Sequence, residues 1–578
     1  LIVLGLASLQ PAQAEQLKAA QRFPKDTLAF LSIEDSRQLA ERFSQTAVGQ
    51  MAQDAHMKPL VDQVYKAIEE AAGATRERLG LSLTELLTIP QGEVALGLIA
   101  VPDMPPALVA MMETGEDQRI VERLLDRSGA TLVENGATQE VETHSGVEVT
   151  IYTLTGGRQR QVALCRKEGV LLVATRIEPL DQILAAWDAA KDASLSQNPH
   201  FGAINQNVGG AEGEEPQVRW FVDPFNLARA VGQRDAGTQV ALAILPTLGL
   251  DGLLGIGGSL TFAAEQFDMI SRAHLLLDNP RAGVIEMIAL GQGEVVPESW
   301  VPAEVSNYST IHWDAGKTYS KLEVLIDSFQ GEGAFKAQIQ RRILDQSTLD
   351  IEAELLPALA GRLTYVTLIE EPITPTSNAQ LIGVKLKDPK RFAATYDRLA
   401  EEYRDFSVQK SLGGKKYIQY APPQLSDEPE AESPRSPRPC FCILGDYLLI
   451  GRESVVQKAI MTEAAPGKSL AADLEFKLIA SKAQRQAGGK RPTYLNFNRP
   501  SEGFRMMYGL AISDAARQGI EKRAENNPFF QNLNQALQTH PLPPFAVIQQ
   551  YLAPGGALLI DDETGLHYTS FTLRRSAP

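Results

Sequence analysis

The sequence predicts an α+β protein made of two homologous tandem domains, each a mainly antiparallel sheet with packed helices. Three observations predict it. First, Phe23-Pro24-Lys25-Asp26-Thr27-Leu28-Ala29-Phe30-Leu31-Ser32-Ile33 returns as Val301-Pro302-Ala303-Glu304-Val305-Ser306-Asn307-Tyr308-Ser309-Thr310-Ile311. Second, later segments match in the same order: 91–99 with 360–368, 162–173 with 439–450, Ser194-Leu195 with Ser469-Leu470, Phe201 with Phe476, and 257–262 with 555–560. Third, strand-like and helix-like segments mix without a regular βαβ rhythm, and hairpin signals are common. A solenoid repeat runs roughly 20–50 residues, whereas a unit as long as this one can bury its own core. The expected division is residues 15–296 and 297–578, an internal duplication.

Each copy opens with a strand, 28–33 in the first, rich in aromatic and β-branched residues. Leu60, Val61, Val64, Tyr65, Ile68 and Ala72 then recur at three- and four-residue spacing, which predicts a helix stopped by Gly73. Phe335, Ile339 and Ile343 mark one face of its counterpart. Strands follow at 94–101 and 108–112, the second matched by 381–386, and the helix 118–127 is matched by 389–401. Hairpins turn at Gly146 and Gly414, and again at Gly169 and Gly445. Helices at 179–187 and 454–459 come next. The closing strands are 218–223, 258–263 and 273–277 in the first copy, and 494–497, 556–560 and 567–573 in the second. Between the last two, Asp561-Asp562-Glu563-Thr564-Gly565 reads as a hairpin turn. Residues 422–439, dense in Pro, Ser and Glu, read as a solvated, disordered loop.

The chain opens on an uncharged apolar run, 1–9, followed by Ala12-Gln13-Ala14. That is the pattern of a secretory signal ending at residue 14, with cleavage before Glu15, and it predicts an exported, periplasmic or extracellular protein. No later stretch is long and apolar enough for a transmembrane helix: 238–260 is the most apolar, and Pro246, Asp251 and several glycines interrupt it. The net charge of −16 repels phosphate backbones, so nucleic acid is excluded as a partner. Three cysteines in a chain this long are no disulfide framework. Cys165 and Cys442 occupy matched strand positions and read as half-buried small apolar residues. Cys440 and Cys442 share one strand face, which leaves a strained disulfide or a metal pair open, although no third ligand is signalled.

Catalytic motifs fail on spacing. Gly316-Lys317-Thr318 and Gly467-Lys468-Ser469 mimic a phosphate loop, but the glycine needed five residues earlier is Ile311 or Thr462. Both read as loop turns. Residues 252–258 are Gly-rich without the strand–loop–helix context of a dinucleotide site, and read as a flexible turn or bulge that lets backbones approach closely. None of the seven histidines forms a metal-binding pair, and Gly257-Gly258-Ser259 has Thr261 where a nucleophile elbow needs glycine. Glu34-Asp35 and Glu370-Glu371 read as loop or strand-end charges. The copies disagree at most polar positions: Asp35 is faced by Trp313 and His144 by Leu412. No catalytic residue, cofactor site or metal site is therefore assigned.

Three segments carry a family resemblance: 23–33, Thr46-Ala47-Val48-Gly49-Gln50-Met51 with Asp54-Ala55-His56-Met57-Lys58-Pro59, and Leu248-Gly249-Leu250-Asp251-Gly252. They resemble an uncharacterised family of secreted proteins of planctomycete-type bacteria, itself similar to a domain-of-unknown-function group in bacterial envelope proteins. The resemblance implies export and a duplicated α+β fold, and it carries over no site residues. The expected function is that of an exported, non-enzymatic protein binding an envelope protein or an apolar ligand between its two domains. The alternatives are a periplasmic hydrolase whose site no motif announces, and a structural component of a cell-surface assembly.

Overall fold

The computed structural model describes residues 17–575 except 72–84, 86–87, 103, 116–117, 155–159, 189–192, 233–235, 343–347, 422–437 and 526–527. The expected signal segment, the helix stop at Gly73, the apolar position Ile343 and nearly all of the 422–439 loop lie outside the described residues. The chain divides into two compact units, Leu1–Arg37 with Arg78–Gly202, and Gln38–Glu77 with Ala203–Pro578. The class is α+β, with a mainly antiparallel sheet and many helices.

In the first unit the strands are β1 (Thr27–Ile33), β2 (Val94–Val101), β3 (Met104–Glu113), β4 (Thr138–His144), β5 (Val147–Leu154), β6 (Arg160–Lys167) and β7 (Val170–Ala174). They pair antiparallel in the order β1-β2-β3-β7-β6-β5-β4. Alternation sets the buried face: Ala95, Ile99 and Val101 of β2 point inward with Ala107, Val109 and Met111 of β3. The helix Gln118–Glu134 runs past the predicted end at 127, and its first half docks Val121, Leu124 and Leu125 on Ile89 and Leu171.

In the second unit the strands are β8 (Val218–Val222), β9 (Leu253–Phe262), β10 (Phe267–Leu277), β11 (Asn307–His312), β12 (Leu359–Ile369), β13 (Asn378–Leu386), β14 (Ser407–Leu412), β15 (Lys415–Tyr420), β16 (Pro439–Leu444), β17 (Tyr447–Arg452), β18 (Tyr494–Asn498), β19 (Gly555–Asp562) and β20 (Gly565–Leu573). Their order is β8-β9-β10-β20-β19-β18-β11-β12-β13-β17-β16-β15-β14, antiparallel throughout. The run β11-β12-β13-β17-β16-β15-β14 has the connectivity of the first unit's sheet. At the other end, β8-β9-β10 is met by β20-β19-β18. The meeting point is the pair β10·β20, centred on Arg272 opposite Thr569, with Phe267 and Phe571 edge to face at 5.2 Å. Contacts thus divide the chain near 202, whereas the sequence reading expects a division near 296; β10 and β20, on either side of that expected boundary, pair with each other.

Two expectations need correction. Gly316-Lys317-Thr318 is no loop turn: it forms the first turn of the helix Ala315–Gln330, capped by Asp314, whose carboxylate accepts the Lys317 N–H at 2.9 Å. The glycine-rich 252–258 is no flexible turn: from 253 onward it is β9 interior. Close approach is nonetheless what its glycines permit, since a Cβ on Gly257 would stand 2.5 Å from Ile204 Cγ2 and 2.7 Å from the Trp220 carbonyl oxygen. Among the described residues no helix is long and apolar enough to cross a membrane.

Candidate functional site

The two strand connections β8→β9 and β18→β19 hold helices that strand periodicity cannot announce. Each begins with a proline one residue past the strand, Pro224 and Pro500, where a missing N–H costs the helix nothing. The first connection folds as the helices Pro224–Gly232 and Ala236–Ile244, which meet where Gly232 leaves room for Leu242. The second is longer, with helices Pro500–Ala511, Asp514–Ala524, Pro528–Thr539 and Phe545–Gln549.

Each connection carries a cleft. The first, of about 550 Å³, is lined by Phe225, Arg229, Gln239, Leu242, Ala243, Pro246 and Asp251. The second, of about 360 Å³, is lined by Ile512, Arg517, Ile520, Glu521, Asn534, Leu537, Gln538, Pro541 and Leu542, with Ala511. One stripe recurs: Gln239, Leu242, Ala243 and Pro246 have the same i, i+3, i+4, i+7 spacing as Asn534, Leu537, Gln538 and Pro541. That spacing puts all four on one helix face, with the proline just past the helix end. Each cleft also sets one arginine and one carboxylate around an apolar floor. Apolar side chains stand exposed on the same connections, Val231 and Val240 in the first, Phe504 and Met507 in the second. The stripe was not legible by matching the two parts of the sequence, because the two connections differ in length.

Groups with chemical potential elsewhere are already engaged. Thr564, His567 and Asp562 have the composition of a hydrolytic triad, but the Thr564 hydroxyl (3.0 Å) and the Asp562 carboxylate (2.9 Å) both meet the same ring nitrogen, Nε2. A triad needs acid and nucleophile on opposite nitrogens. Burial opposes the Asp562 charge, yet Lys490, His567 and Thr564 outweigh it and hold this carboxyl well below the usual range. His144 is flanked by carboxylates on both sides, Asp181 at 3.3 Å and Glu142 at 3.0 Å. Cys165, Cys440 and Cys442 are free, buried thiols, Cys165 and Cys442 more deeply so than the half-buried reading, and burial pushes Cys165 up to about 12 and the other two up to about 11. At neutral pH they are protonated and inert. Glu34 pairs with Lys18, Asp35 accepts the Arg37 N–H, Glu370 pairs with Arg452, and Glu371 pairs with Arg505. Among the described residues no group of three or more His, Cys, Asp or Glu side chains is placed to hold a metal.

Two buried ionic clusters share one matched sequence position, Glu93 in the first unit and Arg362 in the second, with opposite charge. In the second unit Arg362 on β12 meets Glu298 at 3.1 Å, and the Thr310, Thr364 and Tyr308 hydroxyls complete the network. Burial opposes the Arg362 charge, but Glu298 and Tyr308 outweigh it and raise the guanidinium pKa. In the first unit the anion is Glu93, beside the start of β2, and the cation is Arg22. Glu93 accepts the Ala19 N–H at 2.8 Å, while the Arg22 guanidinium lies 3.8 Å over the Trp187 ring. Burial pushes Glu93 up to about 7, and Glu113 adds to the rise. Both clusters are packed shut and act on stability.

A family model described as a protein of unknown function (DUF3352) matches residues 3–213, which contain the whole β1–β7 sheet. No curated protein and no solved structure matches the chain.

Proposed function

We propose that this is an exported, non-enzymatic binding protein, built by internal duplication, that takes apolar ligands or apolar segments of envelope proteins into its two connection clefts. The observation that carries the reading is the recurrence of one four-residue stripe in two connections of unequal length. A scaffold constraint does not require it, because these helices lie outside the sheet that the repeat preserves. The seam β10·β20 is closed by backbone pairing, so the binding surface is assigned to the clefts and not to a groove along that seam. Successive antiparallel pairing also runs β9 and β19 in opposite directions, which sends the two connections off opposite ends of the sheet. Two ligands therefore bind without colliding, and the molecule can bridge them.

The test is titration of the full chain with a fluorescent anilinonaphthalene sulfonate, an apolar probe with one anionic group for Arg229 or Arg517. The reading predicts two saturable sites per chain. Leu242→Asp and Leu537→Asp should each abolish one, since a buried carboxylate in place of a leucine side chain costs at least about 2 kcal/mol. Unsaturable binding, or a stoichiometry that neither substitution changes, would sink the proposal. Export is tested separately by fractionating cells that express the chain: recovery in the cytoplasm alone would contradict it.

A further inference from the structure

Inside the seam, His274 of β10 lies directly opposite His567 of β20, and the rings stack at 4.2 Å with an angle of 26° between them. His274 has no exposed surface, and neither of its ring nitrogens has a hydrogen-bond partner. The Leu566 carbonyl is near enough to favour a proton on the ring but does not meet it in hydrogen-bond geometry. His567 differs, because Asp562 and Thr564 hold its Nε2.

The geometry points to an acid-labile joint: when His274 takes up a proton, the β10·β20 pairing that joins the two halves of the repeat opens. A charged imidazole here has no anion to turn to. Asp562 is already committed to Lys490 at 2.7 Å and to His567. On β10 itself the nearest charged neighbour is another cation, Arg272, which is tied to Glu214 and Gln486. Further along, Asp561 is held by Arg281. β9, on the other side of β10, has no charged side chain and presents Gly257 opposite His274. Burial, with the stacked His567 adding to it, pushes His274 down to about 4, so the ring stays neutral until the surroundings are acidic. Opening the seam returns the ring to water, where its pKa is about 6.5. The folded pKa is the lower one, so protection is complete above about pH 6.5 and is lost as pH falls toward 4.

The test is hydrogen–deuterium exchange of the full chain at pH 7.5 and 4.5, read as protection factors. The joint predicts that β10 and β20 lose about a hundredfold in protection at the lower pH. β12 and β13, in the same unit but away from the seam, serve as controls and should change far less. His274→Gln and His274→Leu should each abolish the excess loss. If neither folds, His567→Gln keeps the buried ring but removes its stacked neighbour, and should make the loss smaller. Equal changes at the seam and in the controls, or an excess loss that survives these substitutions, would overturn the proposal.

Discussion

At the scale of single residues, the two buried ionic clusters make opposite demands. Arg362 and Glu298 satisfy each other, so removing one leaves a buried charge with no counterion. Arg362→Met should cost about 3–5 kcal/mol in urea denaturation, whereas the double change Arg362→Met with Glu298→Met should recover much of it. A double variant as unstable as the single would show that the network matters through something other than its charges. Glu93 behaves differently. Its pKa in the folded chain, about 7, exceeds the ordinary 4.5, so the folded state holds the proton more tightly. Its stability contribution is present below about pH 4.5 and lost as pH rises through 7. The effect is bounded at about 3 kcal/mol. Glu93→Gln keeps an acceptor for the Ala19 N–H and should flatten stability across that window. A pH dependence unchanged in this variant would mean that Glu93 is not the titrating group. Neither cluster was legible in the sequence, because Glu93 and Arg362 stand at matched places with opposite charge, and a comparison of copies discards such positions as disagreement.

Among the elements, those with a period were legible. β2 alternates cleanly, and its predicted bounds, 94–101, match the strand. The hairpins at Gly146, Gly169, Gly414 and Gly445 all form, each with its glycine at positive φ, where a side chain would strain the turn. Failures came where tertiary packing overrides local signals. Glycines normally weaken a strand, yet β9 needs them because the helix Pro199–Val208 and β8 press against it. Gly257→Val should therefore destabilise by about 1–3 kcal/mol through overpacking, while Gly467→Ala, which meets nothing within 4 Å, should be close to neutral. Urea midpoints that shift equally for both would refute the packing argument. The helices after β18 escaped for another reason: their connection is longer than the one after β8, so a comparison of the two parts of the sequence offers them no counterpart.

For the whole molecule, the sequence reading expected two copies of one module, and the structure shows the runs β1–β7 and β11–β17 with the same strand order. What the sequence could not show was which strand completes the edge of β10 and of β20. Hydrophobic alternation says which face of an edge strand is buried and nothing about which strand completes its hydrogen bonds. β10 and β20 complete each other, and their pairing centres on a local twofold, as the proposed duplication of a module that once paired with itself would leave it. That pairing also fixes the opposed directions of β9 and β19, and with them the placement of the clefts. The most direct test is disulfide trapping in the chain carrying Ser271→Cys and Ser570→Cys, residues that face each other across the seam. Oxidation should link this pair rapidly within one chain. Ser271→Cys with Thr572→Cys, shifted by two residues to a separation of about 8 Å, should not link. Peptide mapping that finds the shifted pair joined and the facing pair free would contradict the register, and with it the account of two modules fused through one strand pair.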